Sequence, residues 1–113
     1  MRRIYIIIGV ALLLFASCGQ QHEAQSVVKD FVEQNISSSV SYVDFADLDS
    51  TRAIGDSLIQ VLRSRGAKGA SYQQPDGHTL MLIRAKYVKD HDTLSSTFYL
   101  NPALTGVVAY KNN

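Results

Sequence analysis

The stretch Thr79–Leu100 reads "TLMLIRAKYVKDHDTLSSTFYL", and its patterning decides the fold. From Thr79 to Lys89 the residues alternate, with Met81, Ile83, Ala85 and Tyr87 on one side and Arg84 and Lys86 on the other. This period of two belongs to a strand with one face buried. Lys89-Asp90-His91-Asp92 is a polar turn. Thr93–Leu100 then alternates again, with Leu94, Phe98 and Leu100 opposed to Thr93, Ser95, Thr97 and Tyr99. Two such runs joined by a short turn predict an antiparallel pair.

The pattern extends in both directions. Downstream, Asn101-Pro102 opens a turn, Gly106 closes it, and Val107–Tyr110 forms a last strand. Upstream, Pro75-Asp76-Gly77 is a strong turn sequence preceded by a short strand over Gly69–Gln74. Before that the period becomes helical. Ala24, Val27, Val28, Phe31, Val32 and Ile36 recur at three- and four-residue steps, and Ser37-Ser38-Ser39 ends the run. Val40–Phe45 is an apolar bridge too short to classify. Asp49 or Ser50 offers an N-cap to a second helix with Ile54, Leu58, Val61 and Leu62 as its stripe, Gly55 inside it and Gly66 as its stop. The sum is an α+β domain: two N-terminal helices packed on one face of an antiparallel meander of about four strands.

The N-terminus carries a different signal. Arg2 and Arg3 precede an apolar run, Ile4–Phe15, followed by the small residues Ala16 and Ser17 and then by Cys18, the only cysteine. Charge, apolar segment and small residues in this order make a secretory signal. Gln20, Gln21, His22 and Glu23 stop the run well short of the roughly 20 apolar residues a membrane helix needs.

Phe15-Ala16-Ser17-Cys18 resembles the lipobox of bacterial lipoproteins, of the kind found in small Bacteroidetes lipoproteins. The resemblance implies cleavage by signal peptidase II before Cys18 and acylation of Cys18 by palmitate-like chains. Residues 1–17 would then be a removed signal peptide, residues 18–23 a lipidated cysteine with a short polar tether, and residues 24–113 one small domain. The expected partner is the membrane, reached through the lipid on Cys18, with an envelope protein as a further partner. Only Glu23 follows Cys18 as an acidic residue, which favours the periplasmic face of the outer membrane over the cell surface. Element order alone also resembles the cystatin-like and NTF2-like families; no motif accompanies that likeness, and no function is transferred from it.

Composition narrows the chemistry. Of 11 Lys and Arg, Arg2 and Arg3 lie in the leader, leaving nine against 10 Asp and Glu. This balance has no basic stripe, so nucleic acid is not an expected partner. With Cys18 acylated no thiol remains for a disulfide, and the fold must rest on its core.

Side chains with catalytic or ligand chemistry are scattered. His78 and His91 flank opposite ends of the strand Thr79–Lys89; at about 3.3 Å per residue that separates them by about 35 Å, too far for one metal ion. Asp44, Asp47 and Asp49 resemble the opening of a calcium loop, but Arg52 and Leu58 stand where such a loop needs glycine and glutamate. No serine occupies a G-x-S-x-G elbow. Arg65-Gly66-Ala67-Lys68-Gly69 lacks P-loop spacing and reads as a linker. Neither a metal nor a cofactor is expected. Tyr72, Tyr99 and Tyr110 are the candidate contact surface, an aromatic and hydroxyl-bearing sheet face. The expectation is a membrane-anchored envelope lipoprotein acting as a non-catalytic binding or accessory module. The alternative is a small pocket enzyme, a hydrolase or isomerase using an inward aspartate such as Asp44 and a tyrosine.

Overall fold

The hairpin centred on Asp90-His91 organises the molecule. In the computed structural model, which describes residues 2–113 with side chains from Gly19 onward, β3 (Leu80–Lys89) pairs antiparallel with β4 (Asp92–Leu100) in continuous register from Met81↔Leu100 to Lys89↔Asp92. Asp90 and His91 both take positive φ (52° and 69°), as a two-residue turn of matching twist requires. β5 (Val107–Asn112) pairs with β4, and β1 (Val40–Phe45) and β2 (Asp49–Thr51) both pair with the outer side of β3. The helices are α1 (Arg2–Asn35) and α2 (Asp56–Arg65). The fold is α+β, with two helices and one antiparallel sheet of five strands.

Three local expectations are corrected. Val40–Phe45 and Asp49–Thr51 are strands, so Asp49 and Ser50 do not cap α2; Gly55 occupies its N-cap instead of lying inside it. Gly69–Gln74 is not a strand: its segment follows β5 through a single bond, from Gln73 N–H to Val107 O at 2.8 Å. The stripe on α2 is rotated. Ile59 and Leu62 are buried, while Leu58 and Val61 are exposed. A side-chain anchor sets this rotation, because Arg63 Nε donates to Val108 O at 2.9 Å.

The two helices do not share a face, as a two-layer domain would require. Ala24, Val28, Phe31 and Val32 of α1 pack on Ile83, Ala85, Tyr87, Phe98 and Leu100. Ile59 and Leu62 of α2 pack on Leu80, Tyr99, Val108 and Ala109 on the other face, where an irregularity in the β4–β5 register lets the consecutive Val108 and Ala109 both lie on the α2 side. Near Leu80 and Tyr99 the sheet is apolar on both sides, and burying both takes two covers. Past α2 that second face turns polar, with Arg84 and Lys86 exposed.

β1 and β2 behave as one edge strand broken at Ala46–Leu48. Gln21 of α1 fills the break: its Nε2 donates to Ala46 O (3.0 Å), and its Oε1 accepts from Leu48 N–H (2.6 Å). One side-chain amide thus substitutes for the missing backbone ladder. A bulge between Tyr42 and Asp44 turns Val43 outward, and Tyr42 and Phe45 stack at 5.6 Å beneath the Lys29 ammonium. Such a break and bulge blunt an edge against further pairing. The segment expected as a short polar tether, residues 18–23, is helical with Gln21 engaged, and the core begins at Ala24.

The β4–β5 connection is built on a buried side chain. Asn101 Oδ1 accepts from the N–H groups of Thr105 (3.0 Å) and Gly106 (3.1 Å), while its Nδ2 donates to Thr105 Oγ1 (2.6 Å). This wrapping holds Leu104 at φ 57°, where its side chain enters the core.

Replacing Gln21 with Ala removes two hydrogen bonds to backbone groups that have no strand partner. The expected loss is about 1 kcal/mol, or roughly 4–8 °C in Tm for a domain of this size, with Gln20→Ala as a near-neutral control. Thermal denaturation of the three proteins checks this.

Candidate ligand cleft

α1 ends before the sheet beneath it does. Ile36 and Ser37 both donate their N–H groups to Val32 O at 2.9 Å, and the chain then turns through Ser37–Ser39. Beyond the end of α1 the strands carry Tyr87, Leu94, Ser96 and Asn112 on the same face, as the register Tyr87↔Leu94 and Ser96↔Asn112 requires, with Tyr87 and Ser96 buried and Asn112 exposed. From the side, the exit of α2 closes over them with Arg65, Gly66 and Ala67. The result is a cleft of about 260 Å³ whose walls include Arg65, Lys89, Tyr87, Tyr110 and Asn112. Across the Arg65–Gly66 backbone a second hollow of about 300 Å³ shares Tyr110 and Asn112 and adds Lys111.

Hydrogen bonding at the floor has a fixed direction. Ser96 Oγ donates its single proton to Asn112 Oδ1 at 2.7 Å, so Tyr87 Oη, 2.9 Å away, must donate to Ser96. That chain leaves the Asn112 Nδ2 group as its terminal donor. Tyr110 Oη accepts from Ala67 N–H at 2.8 Å and keeps its own proton for another acceptor. Asn35 is already occupied: its Nδ2 donates to Phe31 O (3.0 Å), and its Oδ1 accepts from Ser71 N–H (3.1 Å). Neither hollow has a carboxylate among its lining side chains.

Gly66 is required here for space. A Cβ at this position would lie 2.5 Å from Tyr72 Oη and 3.0 Å from Tyr110 Cε1. Tyr72 packs on Phe31 with ring centroids 5.6 Å apart, and the Arg63 guanidinium lies 5.1 Å from its ring centroid. Its hydroxyl is buried without a hydrogen-bond partner. Burial raises the Tyr72 phenol above its ordinary value, reinforced by Tyr110 and opposed by Arg63. Burial likewise raises Tyr110, against the opposing Ala67 N–H. Tyr42 is pushed up to about 12, first by burial and then by Glu33, Tyr87 and Asp30.

The tyrosines proposed as one contact surface are separated. Tyr99 is buried under α2, Tyr110 is buried on the α1 side with its hydroxyl at the cleft, and Tyr72 is half-buried between Phe31 and Gly66. An alternating strand puts Tyr99 and Tyr110 on opposite faces, since Tyr99 pairs with Ala109 and Tyr110 with Phe98. His22, His78 and His91 are exposed and dispersed, and Asp44, Asp47 and Asp49 are exposed along the broken edge. Among the described residues no group of three His, Cys, Asp or Glu side chains converges. The Cys18 side chain lies outside the described residues. Sequence reasoning passed over Arg65, Lys89 and Asn112; only the Arg65-Gly66 pair drew notice, and it read as a linker.

Gly66→Ala should destabilise the domain by about 1–3 kcal/mol through overpacking. Tyr72→Phe, which deletes an unpartnered hydroxyl, should be neutral or stabilising and should recover most of the loss in the double variant. Urea titration of the four proteins measures that coupling.

An alkaline limit to stability also follows. An unfolded tyrosine ionises near 10. Tyr42, Tyr72 and Tyr110 are all raised in the fold, so the folded state keeps protons that the unfolded state releases. Their contribution is complete below pH 10 and is lost as pH rises toward about 12, the value for Tyr42. Phenolate absorbance and circular dichroism should change together over that interval.

No family model, curated protein or solved structure matches the chain, so the assignment of a role rests on the site itself and on the leader sequence.

Proposed function

We propose that this chain is a bacterial envelope lipoprotein, anchored by acylation of Cys18 and facing the periplasm, whose domain is a non-catalytic binding or accessory module. The observation that carries the reading is the lipobox-like Phe15-Ala16-Ser17-Cys18 standing directly against a folded domain. Gln21 already clamps the edge strand and Ala24 is already core. Cleavage before Cys18 would remove nothing that these contacts use. Two or more acyl chains make a stable anchor, at about 0.8 kcal/mol for each buried CH₂. Among the described residues no helix is long and apolar enough to cross a membrane, which is compatible with a lipid as the means of attachment.

The cleft favours binding over catalysis. Its polar side chains offer donors and positive charge, and it has no carboxylate or histidine to act as a base. The enzyme alternative calls for an inward aspartate, whereas Asp44 and Asp47 are exposed.

The test is expression of the full chain in a bacterial host, with intact mass and membrane fractionation read beside Cys18→Ala. The expected product starts at Cys18, carries acyl mass and partitions with membranes. The variant should lose the acyl mass and most of the membrane association. An unacylated wild-type chain with the same partitioning as the variant would overturn the anchor.

A further inference from the structure

We propose that the cleft beside Gly66 binds a small anion through a carboxylate or phosphate group. This deepens the binding-module reading by naming the chemistry of its ligand, and it does not depend on acylation of Cys18. The argument starts from polarity. A site that recognises a neutral polar ligand needs acceptors as well as donors, because hydroxyls and amides present both. Here each of these side-chain acceptors already holds one hydrogen bond from within the protein. Asn112 Oδ1 receives the Ser96 proton, Ser96 Oγ receives the Tyr87 proton, and Tyr110 Oη receives the Ala67 N–H. What remains is the Tyr110 O–H, the Asn112 Nδ2 group and the cations of Arg65 and Lys89, with Lys111 across the Gly66 backbone.

Lining side chains that supply cations and unused N–H and O–H protons, with no carboxylate among them, complement an acceptor-only group such as an ionised carboxylate or phosphate. The cations are not cancelled locally. Asp92, the cross-strand partner of Lys89, is not among the residues lining the cleft. Preorganisation adds to the case. Tyr87 and Ser96 are fully buried, so the chain that orients Asn112 is set before any ligand arrives. The volume of about 260 Å³ suits a compact molecule and excludes a folded domain.

Phosphate can be free or part of a lipid headgroup, and the two arms of the experiment separate them. The cleft lies at the Asn35 end of α1. Gly19, next to the candidate acylation site, lies earlier in the same helix, about 24 Å away at 1.5 Å per residue. The compact volume and the polar lining favour the dissolved anion, and the vesicle arm tests the headgroup.

The experiment is isothermal titration of the full chain in neutral detergent with inorganic phosphate and with citrate, at matched ionic strength. Co-sedimentation with phosphatidylglycerol vesicles forms a separate arm. Saturable binding of at least one dissolved anion is expected, weakened about tenfold or more in Arg65→Gln and Lys89→Gln. Lys68→Gln, an exposed position outside the cleft, should bind as wild type does. Unchanged melting temperatures in the three variants exclude unfolding as the cause of any loss. Absence of binding to both anions, equal binding by all variants, or binding to vesicles alone would each overturn the proposal. Because Cys18→Ala protein should give the same titration, failure here is distinguishable from failure of the lipid anchor.

Discussion

The packing of Phe31 is the contact on which the rest of the domain depends. Its ring lies 5.6 Å from Tyr72, 6.2 Å from Phe98 and 5.5 Å from Tyr110, and Phe98 and Tyr110 stack on each other at 5.5 Å. One side chain on α1 thereby joins two strands and the irregular segment that follows α2. The chain has a single cysteine, so no internal disulfide can carry this load. Aromatic pairs at these distances contribute roughly 0.5–1.5 kcal/mol each beyond their buried area. Tyr72 and Tyr110 also set the floor over which Gly66 passes. The wall of the cleft is thus an extension of the core.

Near Gln21 of α1 the problem is an open sheet edge. β1 and β2 cannot form one continuous ladder with β3, because the chain breaks between them. Gln21 resolves this by presenting one donor and one acceptor from a single planar amide. Polar residues close to a candidate acylation site are easily read as spacer. Here one of them is structural, and the domain begins almost at once after Cys18.

The stretch of α1 from Gly19 to Asn35 therefore has different duties along its length. Near Gly19 the helix secures an edge; near Asn35 it stops short and leaves polar strand ends open beside Arg65 and Lys89. The cations and free donors at that second end are the groups on which the proposed anion site rests.

Much of the fold was legible along the chain. The alternation over Met81–Tyr87 and Leu94–Leu100 defined the central hairpin, Asn101-Pro102 and Gly106 marked its successor turn, and the steps from Ala24 to Ile36 defined the core face of α1. Those signals are local, arising from the periods of strand and helix, and need no knowledge of what packs where. Other features were not visible in that way. Val40–Phe45 and Asp49–Thr51 are strands because β3 offers them a free edge, a partner distant in sequence. Tyr99 and Tyr110 seemed equivalent as strand aromatics until α2 crossed the sheet and covered one of them. The rotation of α2 hangs on Arg63 reaching Val108, and the cleft on Gly66 passing over two tyrosines far along the chain. By itself the sequence determined the candidate leader, the helix and strand periods and the class of the fold. Tertiary structure alone decided which helix took which face and where the donors converged, because both depend on contacts between segments that no local pattern connects.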